Sequence, residues 1–234
     1  MRRRVGTPGM AGIGLVSALG PGSGGAAVFS GAAPGWWEIT GRTCIAAYQP
    51  KGAANLAASY INLANPGVLN AAPGVAPTHN PATGWTFDGA TQYLTTGILI
   101  ADETWSAFVR YSGALGATQA YVFGAYDGTD ICGVMYTNGF GSRVYYNFGS
   151  RAVGGLFAAA VSGFAGKTAY LNGASDGAIG AGAGANARDL WIGCRNANGV
   201  IGTPYAGEAE AFACYDSTLT GPEALALSTR MAAL

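Results

Sequence analysis

Glu208 and Glu210 are the pair of residues whose type and spacing could do chemistry. They stand two apart in "AGEAEAFACYD", an apolar run typical of a strand. Side chains two apart on a strand share one face, and at about 3.3 Å per residue the carboxylates could lie roughly 7 Å apart. Glycoside hydrolysis uses two carboxylates about 5–10 Å apart. The same spacing fits two glutamates that simply face solvent, and we favour that interpretation over catalysis.

The other residues capable of acid–base or metal chemistry are scattered. His79, the one histidine, stands in the proline-rich "PTHNP" without a nucleophile or carboxylate beside it, so a catalytic triad is not expected. Asp127 and Asp130 in "AYDGTD" could offer oxygens to calcium, but calcium takes six to eight ligands and aspartates are common in turns. The glycines form no phosphate-binding loop. We predict no metal site and no cofactor.

The four cysteines are Cys44, Cys132, Cys194 and Cys214. No two of them make a C-x-x-C pair, which argues against a zinc site. Each stands in an apolar run, and Phe212 and Cys214 would share one strand face. We predict buried thiols, with a disulfide as the alternative.

Composition restricts the range of partners. Half of the 234 residues are apolar, which is enough for a sizeable core, and 10% are charged, well below the roughly 25% of ordinary soluble domains. The 12 basic and 12 acidic residues cancel, so net charge gives no basis for binding nucleic acid or a membrane. A charge-poor surface keeps molecules apart poorly. We therefore expect a homo-oligomer within an assembly, although a high Ala and Gly content can also follow from genomic base composition.

The first 35 residues differ from the rest because they are rich in Gly, Ala and Pro. Such a segment cannot form a core of its own, so we predict an anchoring arm over residues 1–35, held by a neighbouring subunit. Arg2, Arg3 and Arg4 would bind acidic groups on that partner; contact with packaged nucleic acid is the less favoured alternative. The arginines and "MAGIGLVSAL" also resemble the start of a signal peptide, but the run is too short and glycine-broken to span a bilayer.

Residues 36–234 read as one all-β domain. Short apolar runs recur from Gly84 onward, separated by Gly, Asn or Asp, and a spacing of about 8–12 residues is typical of antiparallel sandwiches and barrels. "TNG" and "SDG" are the predicted hairpin turns, "VLNAAPGVAPTHNPATG" is predicted to be loop, and "KGAANLAASYINLANPG" could make one or two helical turns. The predicted core residues are Trp85, Phe87, Trp105, Phe108, Tyr170, Leu171, Trp191, Ile192 and Phe212.

The C-terminal end is predicted to be a short helix. Thr220 is a candidate N-cap with Glu223 three residues on, which is the spacing of a capping box, and Pro222 fits the first turn. Ala224, Leu227, Met231 and Leu234 then fall near one face, as a helix packed on a sheet requires.

Several of these segments resemble laminin-G-like, concanavalin-A-like jelly rolls. "GWTFDGATQYLTTG" resembles the early hairpin of that family, and it is followed in order by "WSAFVRY", "KTAYLNG", "LWIGCRN" and "YAGEAEAFACYDSTLTGPEAL". The lead-in "AAYQPKGAANLAASYINLANPG" resembles laminin-G-like proteins encoded by bacteriophages and prophages. The resemblance implies an antiparallel two-sheet jelly-roll sandwich with an extended N-terminal arm and a short C-terminal helix.

The resemblance and the arm together imply a function. We expect a non-enzymatic virion structural protein of a bacteriophage, docked through its arm to other virion proteins and displaying the jelly roll as a head decoration or tail appendage. A carbohydrate-binding module for host attachment is the alternative, because Tyr and Phe in "YVFGAYDG" and "VYYNFG" could stack on sugars, although such alternation is more typical of a core. A glycoside hydrolase is less favoured, because the "E-x-D-x-x-E" pattern of sandwich glucanases is absent.

Overall fold

The computed structural model describes residues 34–113, 119–137, 142–147, 150–154, 159–180 and 186–234, with side chains omitted for 136–158. Residues Pro34–Leu234 form one compact unit. The predicted arm, including Arg2, Arg3 and Arg4, lies outside the described residues except at its last two positions.

The described residues form strands and two helices. The strands are β1 Cys44–Tyr48, β2 Ala72–Val75, β3 Thr78–Asn80, β4 Gly84–Asp88, β5 Tyr93–Thr95, β6 Ser106–Ser112, β7 Ala120–Tyr126, β8 Ile131–Thr137, β9 Ser142–Asn147, β10 Ser150–Gly154, β11 Ala159–Ala165, β12 Thr168–Leu171, β13 Ala174–Ala178, β14 Trp191–Ile192, β15 Arg195–Ala197, β16 Val200–Gly202 and β17 Ala206–Tyr215. The helices are α1 Leu56–Ser59 and α2 Gly221–Ala232. Neither helix is long and apolar enough to cross a membrane.

The strands form two sheets, which confirms the prediction of an all-β sandwich with a short C-terminal helix. The eight-stranded sheet A has the order β13-β12-β11-β6-β17-β4-β3, with β1 also paired to β17. The nine-stranded sheet B has the order β10-β9-β8-β7-β14-β5-β2, with β15 and β16 attached beside β7. The described pairings are antiparallel except that of β15 with β7.

Two clusters of buried side chains hold the layers together. The first lies between the sheets and includes Trp85, Phe123 and Phe212. The second lies on the other face of sheet A, beneath α2, and includes Phe108 and Tyr170. The predicted core residues are buried except Trp105 and Leu171, which are half-buried.

Helix α2 has the predicted form. The Glu223 carboxylate accepts hydrogen bonds from the backbone N–H and the hydroxyl of Thr220, so the chain is fixed where the helix begins. Ala224, Leu227 and Met231 are fully buried and Leu234 packs beside them. This face covers the outer side of sheet A.

The segment "GWTFDGATQYLTTG" is not a hairpin, contrary to our expectation. Strand β4 lies in sheet A and β5 lies in sheet B. The Asp88 carboxylate accepts N–H bonds from Ala90, Thr91 and Gln92, which holds the connection as a turn that leaves one sheet for the other. The alternation of apolar and polar residues along a strand does not indicate which of two sheets the strand joins.

Two turn predictions also differ from the structure. "SDG" lies inside β13, and the hairpin turn before it is made by Asn172 and Gly173, at φ 49° and 82°. Asn-Gly tolerates positive φ at both positions, as a two-residue hairpin turn requires. The "TNG" turn lies largely outside the described residues.

The proline-rich segment predicted as loop contains β2 and β3. Both are edge strands, where proline is tolerated because one side of the strand donates no ladder bonds. Helix α1 is the single turn that "KGAANLAASYINLANPG" allowed.

Candidate functional site

Glu210 is held in the interior by two cations. It is 6% exposed, and its Oε2 lies 2.8 Å from Lys51 Nζ and 2.9 Å from Arg110 Nε. Strand β17 has a register shift between Ala209 and Ala211, so a β-bulge places Glu210 where β6 and the residues after β1 can both reach it. The expectation that Glu210 faces solvent is therefore wrong, because its charge is compensated inside the protein.

Arg110 extends this network to the C-terminal helix. Its Nη1 donates a 2.6 Å hydrogen bond to the carbonyl oxygen of Met231, in the last turn of α2. A cation at this position also interacts favourably with the negative end of the helix dipole. Glu210 thus connects β17, the segment after β1, and α2.

Glu208 lies two residues before Glu210 on β17 and is half-buried. Its Oε2 accepts a 2.8 Å hydrogen bond from the Ser112 hydroxyl. Among the described residues a cavity of about 410 Å³ lies beside Pro34, Trp37, Arg42 and Arg230, and neither glutamate lines it. The two carboxylates bind neighbouring side chains, and this geometry does not provide an acid and a base across a sugar-binding cleft.

His79 and the turn aspartates serve local structure. His79 lies on β3, with its Nε2 2.9 Å from the Pro50 carbonyl oxygen. Asp127 Oδ1 accepts N–H bonds from Thr129 and Asp130, and its Oδ2 accepts the Ala187 N–H. Burial opposes ionisation of Asp127, but these backbone hydrogen bonds outweigh it and hold its pKa below the ordinary value. No group of three or more metal-ligating side chains occurs in the described part of the chain.

The four cysteines are thiols, as predicted, and all but the half-buried Cys44 are buried. Burial raises the pKa of Cys44 and of Cys194 to about 12, so neither is a reactive thiolate near neutral pH. Phe212 and Cys214 lie in the same cluster between the sheets, which confirms that they share a strand face.

The sequence analysis missed Arg195, on β15. Its guanidinium carbon lies 5.2 Å from the ring centre of Tyr121 and 4.8 Å from that of Tyr126. Both tyrosines belong to β7, and Arg195 is in register with Gly124 between them. The two strands are separated by some seventy positions of sequence, so no local pattern indicates this contact.

The aromatic side chains that the structure describes do not form an exposed platform. No Trp, Tyr or Phe is among the exposed large apolar side chains of the described residues. In "YVFGAYDG", Tyr121 and Phe123 are buried, as expected for core positions. Tyr93 stacks on Trp191 with ring centres 4.3 Å apart. The side chains of "VYYNFG" lie outside the described residues.

Comparison with known proteins supports the fold. No protein-family model matches the sequence, and no curated protein sequence matches it. Trypanosoma rangeli sialidase in complex with 2,3-difluorosialic acid aligns with a TM-score of 0.58 and 12% identity, over 82% of this chain and 33% of that chain. A mutant of the same sialidase displaying trans-sialidase activity aligns with a TM-score of 0.56 and 14% identity, over 81% and 33%. This chain spans about a third of the length of those proteins, and at such identity the likeness concerns the fold alone.

Proposed function

We propose that this chain is a non-enzymatic structural protein of a bacteriophage virion. Residues 1–35 anchor it to other virion proteins, and residues 36–234 are displayed on the particle as a head decoration or tail appendage. The proposal is supported by the phage-type lead-in over residues 46–67 and by the observation that Pro34–Leu234 forms a compact unit of its own.

The two ends of this unit are fastened to each other. The Tyr215 hydroxyl donates a 2.6 Å hydrogen bond to the Trp37 carbonyl oxygen, and Arg230 Nη1 donates one to the Glu38 carbonyl oxygen. Trp36 is buried and its Nε1 donates to Gln49. Trp36 is therefore the first buried residue of the described domain, and we expect the domain to fold with a long segment before it.

We further propose that the sandwich is a jelly roll of the concanavalin-A or laminin-G kind. The chain passes repeatedly between the layers: β4 in sheet A precedes β5 in sheet B, and β6 in sheet A precedes β7 in sheet B. It returns to sheet A at β11 and again at β17. Repeated crossing between two antiparallel sheets is typical of jelly rolls.

We propose a non-enzymatic role because the carboxylates of Glu208 and Glu210 are both bound by neighbouring side chains. Glu210 is bound by Lys51 and Arg110 and Glu208 by Ser112, and neither lines the cavity beside Trp37. The likeness to a third of a sialidase transfers no activity to this chain.

The test is to measure incorporation into particles. Phage particles purified on a density gradient are analysed by quantitative mass spectrometry, with the full chain compared with residues 34–234 and with an Arg2→Ser, Arg3→Ser, Arg4→Ser variant. We expect the full chain in fixed ratio to the major capsid protein, and loss of the truncated chain from particles although it remains folded. Equal incorporation of the truncation would refute anchoring by the arm, and absence of the full chain from particles would refute the virion role.

A further inference from the structure

Arg195 has no carboxylate partner among the described residues, as is also true of Arg188 and Arg230, which bind an amide and a carbonyl oxygen instead. Arg42, Lys51, Arg110 and Lys167 each form an ion pair. The side chain of Arg195 forms neither an ion pair nor a hydrogen bond with the residues that the structure describes, whereas its backbone pairs with β16 and β7. Its Nε is buried without an acceptor, while the residue as a whole is half-buried, so solvent reaches the guanidinium from the side of its terminal nitrogens.

The position of this guanidinium is determined by aromatic rings. It lies within about 5 Å of the ring centres of Tyr121 and Tyr126, a distance at which the ring face attracts a cation. Gly124 lies between the tyrosines, and a Cβ there would be 2.8 Å from the Tyr121 ring. The lack of a side chain at Gly124 therefore leaves room for the Tyr121 ring to lie against the strand. A surface arginine ordinarily samples many rotamers, whereas contact with the two rings restricts the rotamers of Arg195.

Charge is distributed unequally between the two sheets. The described strands of sheet B contain three arginines and no acidic residue. The described strands of sheet A contain one arginine and four acidic residues. The charged residues are Arg143, Arg151 and Arg195 in sheet B, and Arg110, Asp88, Asp176, Glu208 and Glu210 in sheet A.

Two acidic groups in the turns beside sheet B, those of Asp127 and Asp189, are already engaged. Asp127 accepts three backbone N–H bonds. Asp189 accepts from the Asn196 side chain and from the Gly97 N–H. The nearby Arg188 binds the amide oxygen of Asn198 rather than a carboxylate. The Arg195 region thus has cations without acidic partners, in a protein whose net charge is zero.

We propose that Arg195, clamped between Tyr121 and Tyr126, is a binding site for the carboxylate of an acidic saccharide. A planar guanidinium binds a carboxylate through two parallel hydrogen bonds. The ring of Tyr126, which is half-buried, offers an aromatic surface on which the C–H face of a sugar can pack. A uronic acid combines these two features in one ring, whereas a neutral sugar lacks the charge and an acidic peptide lacks the C–H face.

This site is independent of the virion role, because it can be measured on the purified full chain. The probe is a trigalacturonate, compared with a neutral galactose trisaccharide and with a triglutamate peptide, by isothermal titration calorimetry and tryptophan fluorescence. We expect the full chain to bind trigalacturonate and to bind the neutral trisaccharide at least about tenfold more weakly, since a hydrogen-bonded charge pair contributes this much or more. The triglutamate peptide offers carboxylates but no C–H face to Tyr126, so we expect it also to bind more weakly than trigalacturonate.

The variants test whether Arg195 is responsible. Arg195→Gln removes the charge and should weaken trigalacturonate binding about tenfold or more. Arg195→Lys keeps the charge but cannot form two parallel hydrogen bonds, so its affinity for trigalacturonate should lie between those of the parent chain and Arg195→Gln. Arg188→Gln removes a half-buried cation that is engaged by Asn198 and lies outside the proposed site, so this variant should bind like the parent chain. Thermal melting checks folding, and Arg195→Lys serves if Arg195→Gln does not fold. Unchanged affinity in the Arg195 variants, or equal binding of the neutral sugar or the peptide, would overturn the proposal.

Discussion

Arg42 and Glu223 are 181 residues apart in the sequence and meet through two hydrogen bonds of 2.9 Å each. The pair joins the segment before β1 to the first turn of α2. The same carboxylate accepts the Thr220 N–H, so one side chain both caps the helix and attaches it to the start of the domain.

This contact makes a pH-dependent contribution to stability. The hydrogen bond from Arg42, with those from Thr220, lowers the pKa of Glu223 from 4.5 to about 2. A carboxyl whose pKa is depressed by folding stabilises the native state above its unfolded pKa, and the contribution is lost as pH falls toward its native pKa. We expect the free energy of unfolding to fall less steeply between about pH 5 and 2 in Glu223→Gln and Arg42→Gln than in the parent chain. Urea titrations at several pH values measure this, and equal slopes in all three proteins would contradict it.

The two glutamates of β17 should differ sharply in their effect on stability. Glu210→Gln leaves Lys51 and Arg110 without a compensating charge in a buried site, and we expect a loss of about 3 kcal/mol in the free energy of unfolding. Glu208→Gln is the matched control two residues away; it keeps an acceptor for Ser112 and should cost less than about 1 kcal/mol. Chemical denaturation separates them, and similar losses would mean that the Glu210 ion pairs contribute little.

Gly84 begins β4 and should not tolerate a side chain. It has φ +91°, and a Cβ would lie 2.4 Å from the carbonyl oxygen of Ala209. Gly67 has the same φ of +91°, with no atom within 4 Å of a Cβ. We expect about 1 kcal/mol of destabilisation for Gly67→Ala from backbone strain alone, and about 3 kcal/mol or more for Gly84→Ala from strain and overlap together. Equal melting temperatures for the two variants would show that the strands separate easily at this point.

Asn62 holds the lead-in segment against β1. It is fully buried; its Oδ1 accepts the Ala47 N–H and its Nδ2 donates to the carbonyl oxygens of Ile45 and Val68. Because Asn62→Ala leaves buried backbone groups without partners, we expect a loss of about 3 kcal/mol in the free energy of unfolding. Asn65→Ala, at an exposed position, should change it by less than about 0.5 kcal/mol. A small effect of Asn62→Ala in urea unfolding would mean that water replaces the amide.

Features that depend on neighbours along the chain were predictable. The spacing of Ala224, Leu227 and Met231 predicted the buried face of α2, and Thr220 with Glu223 predicted where that helix begins. These signals are local because helical side chains three or four positions apart lie on one face. The recurrence of short apolar runs likewise predicted an antiparallel sandwich or barrel, and the resemblance to laminin-G-like jelly rolls implied the two sheets.

Features that depend on distant contacts were not predictable. Nothing near Glu210 in the sequence indicates that Lys51, 159 residues away, will meet it, and a glutamate is ordinarily exposed. The assignment of β4 and β5 to different sheets escaped prediction for a similar reason, because alternation is the same whichever sheet a strand joins.

The sequence alone therefore determined the all-β class, the closing helix, the burial of three of the four thiols and most of the core, since each follows from short-range periodicity and residue chemistry. Only the tertiary structure decided that Glu210 is a buried ion-pair centre and that Arg195 lies between Tyr121 and Tyr126. The first depends on the β-bulge at Glu210, and the second on Gly124, which has no side chain. Both also depend on the pairing of strands that are far apart in the chain, which is a property of the packed sheets.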